Sequence, residues 1–375
     1  MVCMLTETVP HGAARGVSRR WRAVLISALC VWLSGCGTPY LMQAASGEWH
    51  VMHARVPIDQ VIADPHTPQE LRTRLELVRA ARKFATTDLG LPDNKSYLTY
   101  ADIGRPYVVW NVVATPEFSV VPHHWCFPVA GCVAYRGYFH EASAVQFAAG
   151  MAARGYDVAV DGVPAYSTLG KFADPVLSSM MRYGDDELAA TIFHELAHQL
   201  LYVKDDSAFN EAFATTVEDA GLERWLAQQG TPARMQEFRA DQVREAAFVK
   251  LLAGARAHLA TLYASGLAPE PMRKQKAAIL AALGADIRAF EQREGVSYPL
   301  YDEWIKEGLN NARLASVATY YDCVPGFKRL LAHEDNDLPR FYAAARELAH
   351  RSRAERHALL CGSAAVAADA EEEED

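Results

Sequence analysis

The chain has 375 residues and a formal net charge of −9; half of its residues are hydrophobic and 22% are charged, enough apolar side chain for a large core beneath a mildly acidic surface. With a pI near 5.8 and no basic stripe interleaved with aromatics after the N-terminus, nucleic acid is excluded as a partner. The run Glu371 to Asp375 closes an acidic tail, residues 366–375, that reads as solvated and disordered.

Residues 1–35 are not fold. Arg15, Arg19, Arg20 and Arg22 make a positive n-region, and Ala23 to Leu33 is an apolar h-region too short to span a bilayer. Leu33-Ser34-Gly35-Cys36 follows and resembles a bacterial lipobox. The resemblance implies a lipoprotein signal peptide, cleavage before Cys36, lipidation of its thiol, and a mature protein anchored to a membrane of the cell envelope and facing the periplasm. Gly37 in place of Asp favours the outer membrane. An uncleaved signal anchor is the alternative, and Ser18-Arg19-Arg20 lacks the rest of a twin-arginine signal. Cys3 and Cys30 leave with the leader and Cys36 takes the lipid, so Cys126, Cys132, Cys323 and Cys361 remain, an even number that suits an oxidising compartment. Cys126 and Cys132, close together around Pro128 and Gly131, are expected to pair, and Cys323 with Cys361 by elimination. Free buried thiols are the alternative, and no CxxC spacing supports a cysteine zinc site.

In chain order, Cys36 to about Val56 reads as a tether leading into a short docked segment. Thr67-Pro68-Gln69-Glu70 reads as a helix start, with Thr67 as N-cap, Pro68 at the first helical position and Glu70 closing a capping box. Apolar spacing through Leu71, Leu75, Val78 and Phe84 continues the helix until Gly90-Leu91-Pro92 stops it. Strand signals at 97–100, 107–114 and 118–121 are expected to pair antiparallel, because their connections are too short for a crossover. A strand at 133–138, a helix at 141–154 and a strand at 156–160 complete an α+β region over 36–184. The last strand is expected at a sheet edge beside the metal helices, where an extended peptide could add itself.

The next stretch, 185–230, carries the chemistry. His194 and His198 stand four apart, so on a helix their imidazoles leave one face about a turn apart and can grip one ion. Glu195 between them completes an HExxH arrangement, in which the Glu takes a proton from water that the metal activates. A catalytic zinc needs three protein ligands and an open position, and Glu211, after twelve intervening residues with a polar turn at Lys204 to Ser207, is the candidate third. Asp206 or Ser207 is expected to cap the helix carrying it. Leu188, Ile192, Leu196 and Leu200 make an apolar stripe opposite the imidazoles, and Asp185-Asp186 are cap candidates for the first helix.

After Trp225 the sequence turns to Ala, Leu, Glu and Arg at helical spacing, with helices expected at 231–264, 271–295, 304–318 and 338–360. Turn signals at Gly230, 266–271, Pro299 and Pro325-Gly326 separate them. The expected fold class is α+β, with a small antiparallel or mixed sheet in the N-terminal half and a helical C-terminal region, 231–365, covering one side of a cleft.

HELAHQ followed by FNEAFATTVE resembles the gluzincin metallopeptidases of the aminopeptidase N type, and more distantly the thermolysin-like enzymes. Over GYDVAVDGVPAYSTLGKFADPVLSSMM, HELAHQLLYVKDDSAFNEAFATTVED and ATYYDCVPGF the chain is similar to a family of bacterial lipoproteins described as predicted aminopeptidases. The resemblance implies a mostly helical metallopeptidase acting on peptide substrates, with one Zn2+ held by His194, His198 and Glu211 and with Glu195 as base. The connector to Glu211 is shorter than in aminopeptidase N, and no GxMEN string occurs, so a carboxylate for the substrate amine is sought among Asp157, Asp161 and Glu141. Where thermolysin-like relatives place an Asp that steadies a zinc His, this chain has Thr215. For the oxyanion donor, Tyr320 and Tyr321 are the first candidates and Tyr166 the second. His123 and His124, beside Trp125, either line the cleft or sit at the surface. An endopeptidase of the same fold, and a non-catalytic lipoprotein that keeps the zinc helix as scaffold, are the competing readings.

Overall fold

Helix-forming sequence dominates the chain, and its described residues, 38–127, 131–297 and 299–361 of a computed structural model, are mostly helical. Cys36, the leader and the acidic tail lie outside them. The chain divides after Gly47. In its first unit the described residues, 38–47, begin a helix, α1 (Thr38–His53), where a tether was expected. Leu41, Met42, Gln43, Ala44 and Ala45 are unbranched or small and lose little entropy in a helix, which the mixed composition obscured.

The second unit opens with short elements: β1 (Arg55–Pro57), α2 (Ile58–Ala63) and α3 (Gln69–Thr87). Thr67 does not cap α3; its hydroxyl donates to the Val61 carbonyl, and Pro68 is the capping residue with no side-chain bond. β2 (Thr99–Ala101) lies between β1, antiparallel, and β8 (Val176–Leu177), parallel. β3 (Val109–Pro116) is the centre of an antiparallel sheet, flanked by β6 (Arg136–Tyr138) and β7 (Tyr156–Val163). β4 (Trp125–Phe127) and β5 (Gly131–Val133) form a hairpin in which Cys126 and Cys132 are cross-strand partners joined through their sulfurs. α4 (Glu141–Ala152) packs between β6 and β7 in sequence. The expected strand at 118–121 is a turn: Ser119 N–H returns to the Pro116 carbonyl, and Val120 is buried against the helical half. The single strand expected at 133–138 is split between β5 and β6.

A 3-10 turn (Ser178–Arg182) leads into the helix pair expected to carry the metal site, α5 (Asp185–Leu200) and α6 (Ser207–Gln229), after which come α7 (Pro232–Tyr263), α8 (Pro269–Glu294), α9 (Pro299–Glu307), α10 (Asn311–Tyr321), α11 (Val324–His333), α12 (Leu338–Ala349) and α13 (Arg353–Leu360). The class is α+β, as expected, with the small sheets in the N-terminal half. Three helical expectations needed correction. The run 304–318 breaks at Gly308 to Asn310, where Asn310 caps α10 by accepting from Arg313 N–H at 3.0 Å. The run 338–360 breaks where Ser352 and Glu355 form a capping box. Pro325-Gly326, read as a turn, sits inside the first turn of α11, a position where proline's missing N–H costs nothing.

Two large apolar cores result among the described residues, beside smaller clusters on the sheet around β3. The larger gathers α3, α5, α6, α11 and α12, with Leu75, Val78, Ile192, Leu196, Phe209 and Phe213 fully buried and the Phe213 ring stacked on Phe341 at 5.7 Å. The other belongs to α7 through α10, around Leu259, Ile287 and Phe290. The C-terminal region is therefore not one cover: its last three helices belong to the core of α5 and α6. Gly326 permits this, because a Cβ there would sit 2.2 Å from the Leu360 carbonyl oxygen, and Cys323 and Cys361 are joined beside it. Among the described residues no helix is long and apolar enough to cross a membrane.

Candidate metal centre

α5 is set by its ends and by its buried face. Asp185, Asp186 and Glu187 occupy its first turn, where negative charge meets the positive end of the helix dipole, but the N-cap is Gly184 and not either Asp. Asp185 instead pairs with Arg74, and Asp186 with Arg234. Leu188, Ile192 and Leu196 are completely buried, which rotates His194 and His198 toward α6.

Residues 201–206 then reverse the chain. Asn210 closes the reversal by bonding Val203 on both sides, accepting from its N–H and donating to its carbonyl, each at 2.7 Å. Asp206 caps α6 by accepting from Phe209 N–H at 3.1 Å. Its side chain is fully buried and is held by Arg356 at 2.7 Å and His357 at 2.8 Å. Burial works to raise the Asp206 pKa, yet His357 and Arg356 outweigh it and keep the carboxylate ionised. The β4–β5 hairpin braces the same connector: Cys132 N–H donates to Asp205 Oδ1 at 2.6 Å, and Gly131, at φ +79°, lies where a Cβ would collide with Asp205 and Lys204.

This reversal brings three donors to one point. His194 Nε2 and His198 Nε2 are 3.1 Å apart, and Glu211 Oε2 is 3.4 Å from the first and 3.5 Å from the second. A tetrahedral ion with bonds of 2.0–2.1 Å has ligand edges of about 3.3 Å, so the triangle fits zinc in size and in donor type. His198 and Glu211 are buried, as is Glu195. Burial resists charge on His194, but Glu211 and Glu218 together hold its pKa well above the usual value. Burial likewise raises Glu211, but His198 and His194 bring it down to about 2. Such a field stabilises positive charge where the donors meet.

Glu195 lies in the same field with its pKa raised, first by burial and then by Glu211 and Asp174, against the lowering effect of both imidazoles. A cavity of about 680 Å³ opens on His194, Thr215, Glu218 and Tyr320. Eight carboxylate residues line it against one arginine, Arg234. Of the three tyrosines proposed as donors, Tyr320 and Tyr321 line it, and Tyr320 is the one in the field of the donor group: its hydroxyl is held well above its usual pKa by the charge of Glu211 first, then by burial and Glu195. Tyr321, one residue on, points its hydroxyl to Glu245 at 2.8 Å, and Tyr166 donates to Glu48.

The remaining candidates lie elsewhere. Asp157 binds Lys276 at 2.7 Å and the Asn311 N–H, Asp161 accepts from Trp304, and Glu141 is exposed at the start of α4. β7 is an edge strand, but its Val158 carbonyl accepts from Asn310, so that edge meets the helical half. His123 packs edge-on against Trp125 and Tyr156, and neither it nor His124 lines the cavity at His194.

Sequence reasoning missed Glu218. It accepts from His194 Nδ1 at 2.8 Å, the role sought at Thr215. The signal was available in principle, since Glu218 stands two turns beyond Glu211 on the same face of α6. His198 has no such support: its Nδ1 is buried without a partner among the described residues. Sequence reasoning also missed Asn210, whose closure of the connector depends on its fit to Val203.

Fold and site together define an α+β protein with a candidate metal-binding group of two imidazoles and a carboxylate on paired helices. The chain belongs to the family described as "putative aminopeptidase", which matches residues 39–360 and marks it as a peptidase in general. No curated protein and no solved structure matches it.

Glu218→Ala is expected to leave the fold intact and to weaken zinc binding by about 10- to 100-fold, the usual effect of removing a carboxylate behind a ligating His. Competition with a chelating dye measures this; wild-type affinity in the variant would show that Glu218 does not serve the site.

Proposed function

We propose that this protein is a zinc-dependent peptidase of gluzincin type, an aminopeptidase, anchored by lipid at Cys36 in the bacterial cell envelope. The observation that carries the catalytic reading is the meeting of His194 Nε2, His198 Nε2 and Glu211 Oε2 at tetrahedral spacing with Glu195 buried beside them. Zinc bound there supplies Lewis acidity, polarising a peptide carbonyl and lowering the pKa of water.

The chain's own residues supply the rest. Glu218 accepts the Nδ1–H of His194, which fixes the tautomer and leaves the Nε2 lone pair for the metal. Glu195 takes the proton from the attacking water and passes it to the leaving amine; its raised pKa brings it closer to the proton it must both take and give. Tyr320 stays protonated in the field of two carboxylates and can donate its O–H to an oxygen that gains negative charge. The acidic cavity beside His194 suits a positively charged substrate end, and a free α-amino group is the charge that every unblocked peptide carries. This wall replaces the missing GxMEN carboxylate. In the same reading the leader is 1–35, an α+β region covers 36–184, zinc-binding helices 185–230 and a helical C-terminal region 231–365.

Glu195→Gln is expected to bind zinc as the wild type does while losing about 10²- to 10⁴-fold in kcat on peptides with free N-termini. Tyr320→Phe is expected to lose about 10²- to 10³-fold, with Tyr321→Phe close to wild type. N-acetylated peptides cleaved as well as free ones would rule out the aminopeptidase assignment, and full activity of Glu195→Gln would rule out the mechanism. Labelled palmitate is expected to enter the wild type and not Cys36→Ala; equal labelling would remove the anchor from the account.

A further inference from the structure

Among the described residues ten large apolar side chains are exposed. Val145, Val243, Leu267 and Leu359 stand singly on α4, α7, the α7–α8 connection and α13. Isolated residues of that kind need no explanation, whereas a group does. The other six form such a group: Leu41 and Met42 near the start of α1, then Trp49, Val56, Leu98 and Phe172 in the second unit. Backbone bonds hold the segments of these last four next to one another. Arg55, which follows α1, donates to the Met52 carbonyl at 2.8 Å and to the Ala173 carbonyl at 2.9 Å, so the end of α1 and the loop bearing Phe172 share one guanidinium. Ile58 N–H donates to the Leu98 carbonyl at 3.1 Å, just beyond the pairing of Val56 with Tyr100. The Asp174 N–H donates to Ser96 Oγ at 3.3 Å and its carbonyl accepts from Tyr97 N–H at 2.6 Å, which ties the Leu98 and Phe172 loops together.

The chemistry of this group and the covalent geometry beside it indicate what covers it. Lys95 and Lys171 are exposed in the same two loops, against one exposed acid, Asp93, on a protein whose net charge is −9. Lysine stems can lie along apolar surface with their ammonium groups at lipid phosphates, and an exposed tryptophan is a side chain that favours the boundary between headgroups and acyl chains. α1 begins at Thr38, two residues after Cys36, and two residues reach at most about 7 Å, roughly the depth of one headgroup layer. With acyl chains on Cys36 there is no linker to hold the folded body clear of the bilayer. Along α1, Leu41, Ala45 and Trp49 are exposed at i, i+4 and i+8, and no charged residue precedes Glu48, whose carboxylate accepts from the Tyr166 hydroxyl. The helix thus carries an uncharged line on which it can lie at a bilayer surface.

We propose that the surface bearing Trp49, Val56, Leu98 and Phe172 rests on the lipid bilayer, with α1 lying in the bilayer interface, so that anchor and surface together fix how the protein is oriented on the membrane. The proposal deepens the reading given above and rests on lipidation of Cys36.

Bromine on an acyl chain quenches tryptophan only at contact, and Trp49 is suited to report it: Trp110, Trp125, Trp225 and Trp304 are 9% exposed or less, against 55% for Trp49. The lipidated protein and its Trp49→Phe variant are reconstituted into vesicles of phosphatidylethanolamine and phosphatidylglycerol, with and without lipids brominated near the headgroup end of the chain. The emission that Trp49→Phe lacks is expected to shift to the blue on reconstitution and to lose most of its intensity in the brominated vesicles. A chain carrying both Leu98→Asp and Phe172→Asp is expected to keep its lipid and to lose most of that quenching, and full quenching in it would count against these two residues as part of the surface. Palmitate incorporated without quenching of Trp49 overturns the proposal and leaves the anchor standing; if a second copy covers the surface instead, cross-linked dimers in the same vesicles accompany that result. If no palmitate enters, the anchor reading falls, and the chain held in vesicles by its apolar leader decides the proposal by the same comparison, with absence of quenching, or of any vesicle binding, overturning it.

Discussion

The chain reversal at residues 201–206 is the constraint on which the site depends. Two imidazoles on one helix face are easily made, since i and i+4 spacing supplies them. A carboxylate at the same point requires α6 to return at a fixed angle and register. Asn210 sets the register by bonding both sides of Val203, and Asp206 sets the angle by capping α6 from a fully buried position. A buried carboxylate is tolerable only when compensated, and Arg356 and His357 provide this from α13. Helices at the far end of the sequence thus hold the third donor, and the Cys323–Cys361 link ties α13 to α11 in the same core.

The second core, α7 through α10, has a different part. It presents α10 to the metal-site pair, and α10 carries Tyr320 and Tyr321 on adjacent positions about 100° apart around the helix axis. One side chain falls in the field of Glu211 and Glu195; the other is spent on Glu245. The acidic cavity lies between these bodies of helix, lined by residues of α5, α6, α7 and α10. Its charge follows from placing the acidic first turn of α5 opposite the acidic face of α7, with Arg234 of α7 paired to Asp186 between them.

How much of this could be read in advance depended on how local each feature is. His194, His198 and Asp206 were legible because helical spacing and capping are local rules. Glu211 was legible because a polar turn followed by helical sequence implies a return. Glu218 was not, since its bond to His194 depends on how the two helices cross and not on spacing within either. The choice among Tyr320, Tyr321 and Tyr166 was likewise closed to sequence. Thr67 failed as a cap because a neighbouring carbonyl claimed its hydroxyl, and 118–121 failed as a strand because Glu117 is held by Arg273, Lys276 and Asn311 from the helical half.

The central claim is that the metal sits between two imidazoles and a carboxylate. Zinc-edge X-ray absorption on the zinc-loaded full chain tests it most directly. The account predicts only nitrogen and oxygen neighbours at about 2.0–2.1 Å, with two imidazole signatures that fall to one in His198→Ala. Two imidazole signatures that persist in His198→Ala, or a zinc without imidazole neighbours, would contradict the account.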